Sequence, residues 1–170
     1  MHRPKFPELF ENTKIVISKI TGDQGLRATL DNSGIYVEST LNCCVLANAL
    51  EITGRVSLES IKLSKNYSEK FLLGLINSRL LGWYYRHLLM RSLDVYPDNV
   101  KQIPIRTIDD GNPSDKFIHN TIVKSVEKVL ASKRANPQAD TFKLEEDIDE
   151  LVYQLYGLTE EEKNIVKGKE

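Results

Sequence analysis

Apolar and polar positions alternate in the first third of the chain. Ile15 and Ile17, then Leu26, Ala28 and Leu30, recur at every second residue, the period of a strand with one buried face. Residues 14–20, 26–31, 34–39 and 43–47 are short runs rich in Ile, Val, Thr and Tyr, and they predict a small antiparallel sheet. Thr21-Gly22-Asp23-Gln24-Gly25 and Asp31-Asn32-Ser33-Gly34 supply the glycines and short polar side chains that hairpin connections need. Residues 54–63 alternate as well and are read as an added strand.

The period lengthens after Asn66. Leu72, Leu75, Ile76, Leu80, Trp83 and Leu88 recur at threes and fours, which predicts one long helix over residues 67–89 with Trp83 and at least one of Tyr84 and Tyr85 on its buried stripe. Gly74 and Gly82 each cost roughly 1 kcal/mol against alanine inside a helix, so close packing of the helix backbone against the sheet is expected there. Pro97 and Pro104 interrupt the next segment, in which Val95-Tyr96 reads as a short strand.

Asp109-Asp110-Gly111-Asn112-Pro113 is a polar, turn-forming boundary. Beyond it, Ser114 is the expected cap of a helix carrying Ile118, Ile122, Val126, Val129 and Leu130. A second helix carries Leu144, Ile148, Leu151, Val152 and Leu155 and stops at Gly157. Thr159 and Glu162 form a capping box for a last short helix. The expected fold class is α+β: a small, mostly antiparallel sheet packed with a long helix, then a C-terminal helical hairpin. Residues 1–108 form the sheet-plus-helix body and residues 109–170 the helical region packed on it.

Composition narrows the function by exclusion. No apolar run approaches the ~18 residues of a membrane span and the mean hydropathy is −0.34; the opening residues also lack the apolar core of a secretory signal. A cytoplasmic protein without membrane contact is expected. Cys43 and Cys44 are neighbours whose side chains point to opposite faces of a strand, so they read as reduced, small apolar residues. No Gly-rich phosphate loop, CxxC pair, HExxH or GxSxG is present. His2, His87 and His119 are far apart, and Glu145, Glu146, Asp147, Asp149 and Glu150 straddle a helical apolar stripe as a solvated face does. Neither catalytic nor metal-binding residues are assigned.

The net charge of −1 is unevenly spread: residues 1–107 carry 14 Lys and Arg against 10 acids, and residues 108–170 carry 9 against 14. The first part can face phosphate and the second solvent or protein. Within the first part, Trp83, Tyr84, Tyr85, Arg86, His87 and Arg91 combine planar rings with charged forks near a helix end, groups that stack, bond phosphate or read a guanine edge. Lys14, Lys19 and Arg27 on the strands, and Lys62, Lys65 and Asn66 before the helix, are placed to position a backbone. Tyr96, Asn99 and Lys101 lie in the irregular segment, where readout residues usually sit. The DNA-binding candidates are Lys14, Lys19, Arg27, Lys65, Asn66, Arg86, Arg91, Tyr96, Asn99 and Lys101.

Several local features, in order, carry a resemblance. Thr13-Lys14-Ile15-Val16-Ile17 looks like an opening strand, and Ala28-Thr29-Leu30-Asp31 with Gly34-Ile35-Tyr36-Val37 like its following hairpin. Asn77-Ser78-Arg79-Leu80 closes a Leu-rich helical run ahead of Trp83-Tyr84-Tyr85. Gln102-Ile103-Pro104-Ile105 follows, and the helical end runs from Ile148-Asp149-Glu150-Leu151 to Tyr156-Gly157-Leu158-Thr159. Together they resemble the TaqI-like specificity domain, the target-recognition part of adenine-N6 DNA methyltransferases and of restriction enzymes that fuse methyltransferase and nuclease. The resemblance implies a carboxy-terminal piece of a longer parent, whose amino-terminal methyltransferase domain binds S-adenosylmethionine and flips the target adenine into a pocket with an Asn-Pro-Pro-Tyr tetrapeptide. That tetrapeptide is absent from this sequence. The implied partners are double-stranded DNA and the methyltransferase domain, with no cofactor in this chain. Two other readings are kept: a protein-interaction or oligomerisation module using the helices of residues 115–157, and a hydrolase built on the acidic cluster.

Overall fold

β1 (Lys14–Ser18) is flanked by β2 (Ala28–Asp31) and β3 (Leu41–Cys44) in an antiparallel sheet of order β2-β1-β3, with Ile15 opposite both Leu30 and Cys44. This is a computed structural model, which describes residues 6–22, 25–90, 92, 94–109 and 111–168. Strand alternation sends Ile15, Ile17, Ala28, Leu30 and Cys44 to one face, where they join the main core. The other face holds Lys14, Val16 and Asp31 beneath α1 (Glu8–Glu11), whose Phe10 is buried and stacks on Tyr36 at 4.6 Å.

Residues 34–39 therefore form no strand. Gly34 turns the chain at φ +76°, and Tyr36 is spent on Phe10 and on a 2.9 Å hydrogen bond to Glu11. Residues 54–63 are not a strand either. After a 3-10 helix (Ala47–Thr53), Ser57 accepts the Ser60 N–H and starts α2 (Leu58–Ser64), on which Ile61 is the buried apolar residue. A local cap prevails over an alternation that has no sheet face to fill.

The single long helix is also corrected. α3 (Glu69–Ile76) ends before Asn77, and Ser78 opens α4 (Arg79–Tyr84) by accepting the Leu81 N–H; α4 then widens into a π turn (Tyr85–Leu89). The apolar stripe survives the break, because Phe71, Leu75, Leu81 and Tyr85 are all buried. Trp83 leaves it: half-exposed, it stacks on His87 at 4.7 Å, and Tyr85 takes the core position.

After the short α5 (Pro97–Val100) come α6 (Pro113–Ala135), α7 (Phe142–Tyr156) and α8 (Glu160–Val166). Asn112, not Ser114, caps α6, since its side-chain oxygen accepts the Ser114 and Asp115 N–H groups. α7 ends at Gly157 with φ +70°, and the Thr159–Glu162 capping box is present. α6 packs on α3 and α7, so Ile118, Ile122, Val126, Ile148, Val152 and Leu155 share one core with the sheet and α3. Those stripes, which gave the interaction-module alternative, are buried inside this chain. Gly74 serves α6 rather than the sheet: a Cβ there would lie 2.7 Å from Ile122 Cγ2. Gly82 meets Gly25, where a Cβ, already strained at φ +107°, would sit 2.4 Å from the Gly82 Cα. Among the described residues, no helix is long and apolar enough to cross a membrane.

Candidate nucleic-acid interface

The residues that carried the sequence resemblance hold the fold together. Asn77 uses its amide as a one-residue strand on the outer edge of β2, accepting the Ala28 N–H at 2.8 Å and donating to the Ala28 carbonyl at 2.9 Å. Arg79 donates its backbone N–H to Asp149 Oδ1 at 2.8 Å and sets Nε 3.1 Å from Oδ2. Tyr156 donates to the Pro104 carbonyl at 2.7 Å and accepts the Arg106 N–H, while the Arg106 guanidinium lies 3.5 Å from buried Asp115. The helix break, the segment after α5 and α7 are thus fastened to each other and to the sheet. Burial pushes the Asp149 carboxyl up to about 6, although both Arg79 contacts oppose the rise.

Lys14 is withdrawn from the DNA-facing set. It is fully buried, with its ammonium committed to the Phe10 carbonyl and the Asp31 carboxylate. Burial alone would raise the Asp31 pKa, but Lys14, the Ser33 hydroxyl and the Ser33 and Ile35 N–H groups outweigh it and hold the carboxyl well below its ordinary range. A lysine at the start of a strand is exposed by composition alone; here α1 folds over it.

The segment after residue 93 is pinned along the end of β1. Val95 is fully buried, donates its N–H to the Lys19 carbonyl at 2.6 Å and accepts Asn42 Nδ2 at 2.8 Å. Instead of the Val95-Tyr96 strand there is one isolated bridge, between Ile20 and Asp94. This pinning brings two candidates together. Lys19 Nζ lies 3.7 Å from Asp94 Oδ2 and 5.8 Å from the Tyr96 ring centroid, and the Tyr96 hydroxyl donates to the same carboxylate at 3.2 Å. Ile20 is 58% and Tyr96 47% exposed, and the Thr21 hydroxyl, one residue past Ile20, lies 4.0 Å from the exposed Met90 sulfur. Asn99 fixes α5 by donating to the Leu89 carbonyl at 2.7 Å, and Lys101 pairs with Asp98 at 2.9 Å.

The other candidates lie apart from this cluster. Arg27 is exposed, packs over Gly22 and has no carboxylate within 4 Å among the described residues. It borders a groove of about 570 Å³ between the edge of β2 and helices α6 and α7, also lined by Asn77, Arg79, Lys133, Phe142 and Asp149. Lys65 and Asn66 are exposed on the α2–α3 turn. Arg86 is half-buried on the π turn, and Arg91 lies outside the described residues. Sequence reading missed Asp94, Ile20 and Met90, because only the fold bridges Ile20 to Asp94 and sets Met90 against Thr21. Among the described residues, no three His, Cys, Asp or Glu side chains are grouped to hold a metal ion.

Residues 1–105 match the family model of the TaqI-like C-terminal specificity domain. No curated protein and no solved structure matches the chain.

Proposed function

Since the chain belongs to the TaqI-like C-terminal specificity domain family, a sequence-recognition module of restriction-modification enzymes, we propose that it holds duplex DNA in register for adenine-N6 methylation by a domain outside this sequence. S-adenosylmethionine would be held by that other domain. The work of this chain is to bind and orient the duplex.

The observation that carries this reading is the cluster of Lys19, Asp94 and Tyr96 on a pinned edge. It offers a phosphate or a base edge a cation, a phenol and a carboxylate acceptor, next to exposed Ile20 and Met90. A carboxylate accepts from the cytosine amino group, and apolar side chains contact thymine methyls, so such a surface discriminates among base pairs. Lys19, one residue past the sheet, supplies the charge that orients it. Rigidity comes from the Val95 and Asn99 bonds, which hold the reading groups without help from DNA.

The test is fluorescence anisotropy of labelled duplexes differing in sequence, titrated with the chain over a range of salt. Lys19→Ala should weaken binding to all sequences and lower the salt slope by about 1, whereas Tyr96→Ala should relax the preference among sequences by roughly 1–3 kcal/mol. A chain that binds every duplex equally, or none, would refute the reading.

A further inference from the structure

Helix α6 lies wholly in the acidic part of the chain, beyond the residues that match the family, yet its outer surface is basic. It carries five Lys and Arg and two acids. Both acids are neutralised by other elements: Asp115 by Arg106 at 3.5 Å, and Glu127 by Lys70 at 2.6 Å. Lys116, Lys124 and Lys128, by contrast, are exposed and have no carboxylate within 4 Å among the described residues. Eight of the 14 acids of this half sit instead on α7 and α8, where Lys143, Lys163 and Lys167 pair with some of them. The charge is therefore sorted by helix.

Its spacing is regular as well. Lys116, Asn120, Lys124 and Lys128 step by four, so each advances about 6 Å along the axis and drifts about 40° around it. The four form one exposed ridge about 18 Å long on the side away from Gly74, against which Ile122 and Val126 are packed. Helix-dipole compensation accounts for Lys133 and Arg134 in the last turn, and Lys133 also donates to the Ala139 carbonyl. It does not account for Lys116 in the first turn, where a cation opposes the dipole, nor for Lys124 and Lys128 in the middle.

Resting on the DNA-recognition reading above, we propose that the exposed ridge of α6 tracks the phosphate backbone of the bound duplex, extending the interface beyond residues 1–105. Lysines on flexible stems bind phosphate as point charges and carry no sequence information. The ridge therefore raises affinity evenly, and the pinned cluster around Lys19 supplies preference.

The experiment measures binding of a labelled duplex of about 30 base pairs by the full chain and by the triple variant Lys116→Gln, Lys124→Gln, Lys128→Gln, across salt. Lys143→Gln, which removes a lysine already paired with Asp147, is the control, and circular dichroism verifies folding. Removing each lysine–phosphate pair should reduce the slope of log affinity against log salt by about 0.9, a total of about 2–3, with at least tenfold weaker binding at low salt. Lys143→Gln should leave both unchanged. As a second measurement on the unaltered chain, acetylation of Lys116, Lys124 and Lys128 should slow severalfold when duplex is added, and that of Lys143 should not. If the chain binds duplex but the slope and the acetylation rates do not change, α6 is no part of the interface and the recognition reading stands. If the chain binds no duplex at all, both fall.

Discussion

Arg79 and Asp149, separated by 70 residues in sequence, meet through a backbone N–H and a guanidinium on one buried carboxylate. Arg79 opens α4 immediately after the helix break, and Asp149 lies on the inner face of α7. The pair therefore ties the two halves of the chain at the point where the long apolar helical run is interrupted. Asp149 does not escape the cost of burial by this pairing, and its carboxyl stays protonated to about pH 6.

That shift sets a pH dependence. The folded pKa of about 6 exceeds the ordinary value of about 3.9. The folded state therefore holds the proton more tightly, and the stability so gained is present below about pH 4 and lost as pH rises through 6. The wild-type chain should lose about 2–3 kcal/mol from this group over that window. Asp149→Asn should flatten that slope. Urea melts of both proteins between pH 4 and 7 make the comparison, and parallel curves would exclude Asp149 as the source.

Asn77→Ala should cost about 1–2 kcal/mol, because two hydrogen bonds to Ala28 vanish and the edge of β2 opens to water. Asn77→Asp should cost more than alanine at neutral pH. It keeps an acceptor for the Ala28 N–H but sets a carboxylate oxygen against the Ala28 carbonyl. Chemical denaturation at pH 7 ranks the three; an aspartate variant as stable as the wild type would contradict the edge role.

Lys14→Met leaves the Asp31 carboxylate buried without its cation and should destabilise by about 3–5 kcal/mol. Lys14→Met with Asp31→Leu should recover much of that loss. In whatever fraction remains folded, the salt slope of DNA binding should match the wild type, as it must if Lys14 never reaches phosphate. A slope lowered by about 1 would return Lys14 to the interface.

Asp94→Asn removes the carboxylate that Lys19 and Tyr96 share. Binding to all duplexes should tighten severalfold at low salt, since the Lys19 charge is no longer offset. Preference among sequences should shrink as the acceptor is weakened. Anisotropy titrations against a sequence panel read both effects. Weaker binding overall would mean that Asp94 supports the site only structurally.

Alternation alone is enough to place β1 and β2, and the capping signals at Gly157 and Thr159 locate the end of α7 and the start of α8. Those features are local, decided by side chains within one turn or one strand of each other. Residues 54–63 and the break at Asn77-Ser78 mislead for the same reason: a periodicity shows which positions are apolar, not whether a sheet edge or a cap competes for the backbone. The candidate site is legible as a set of residue types, of which Lys19, Tyr96, Asn99 and Lys101 fall in or beside one pinned segment.

By itself, then, the sequence determined the α+β class, the family and the kinds of group that could meet a duplex, because composition, period and short motifs are written in neighbouring residues. Tertiary structure alone decided that Lys14 is entombed with Asp31, that Asp94 stands between Lys19 and Tyr96, and that Arg79 meets Asp149. Whether a charge faces water or a partner depends on what other segments bury it, and that is a property of packing between residues far apart along the chain.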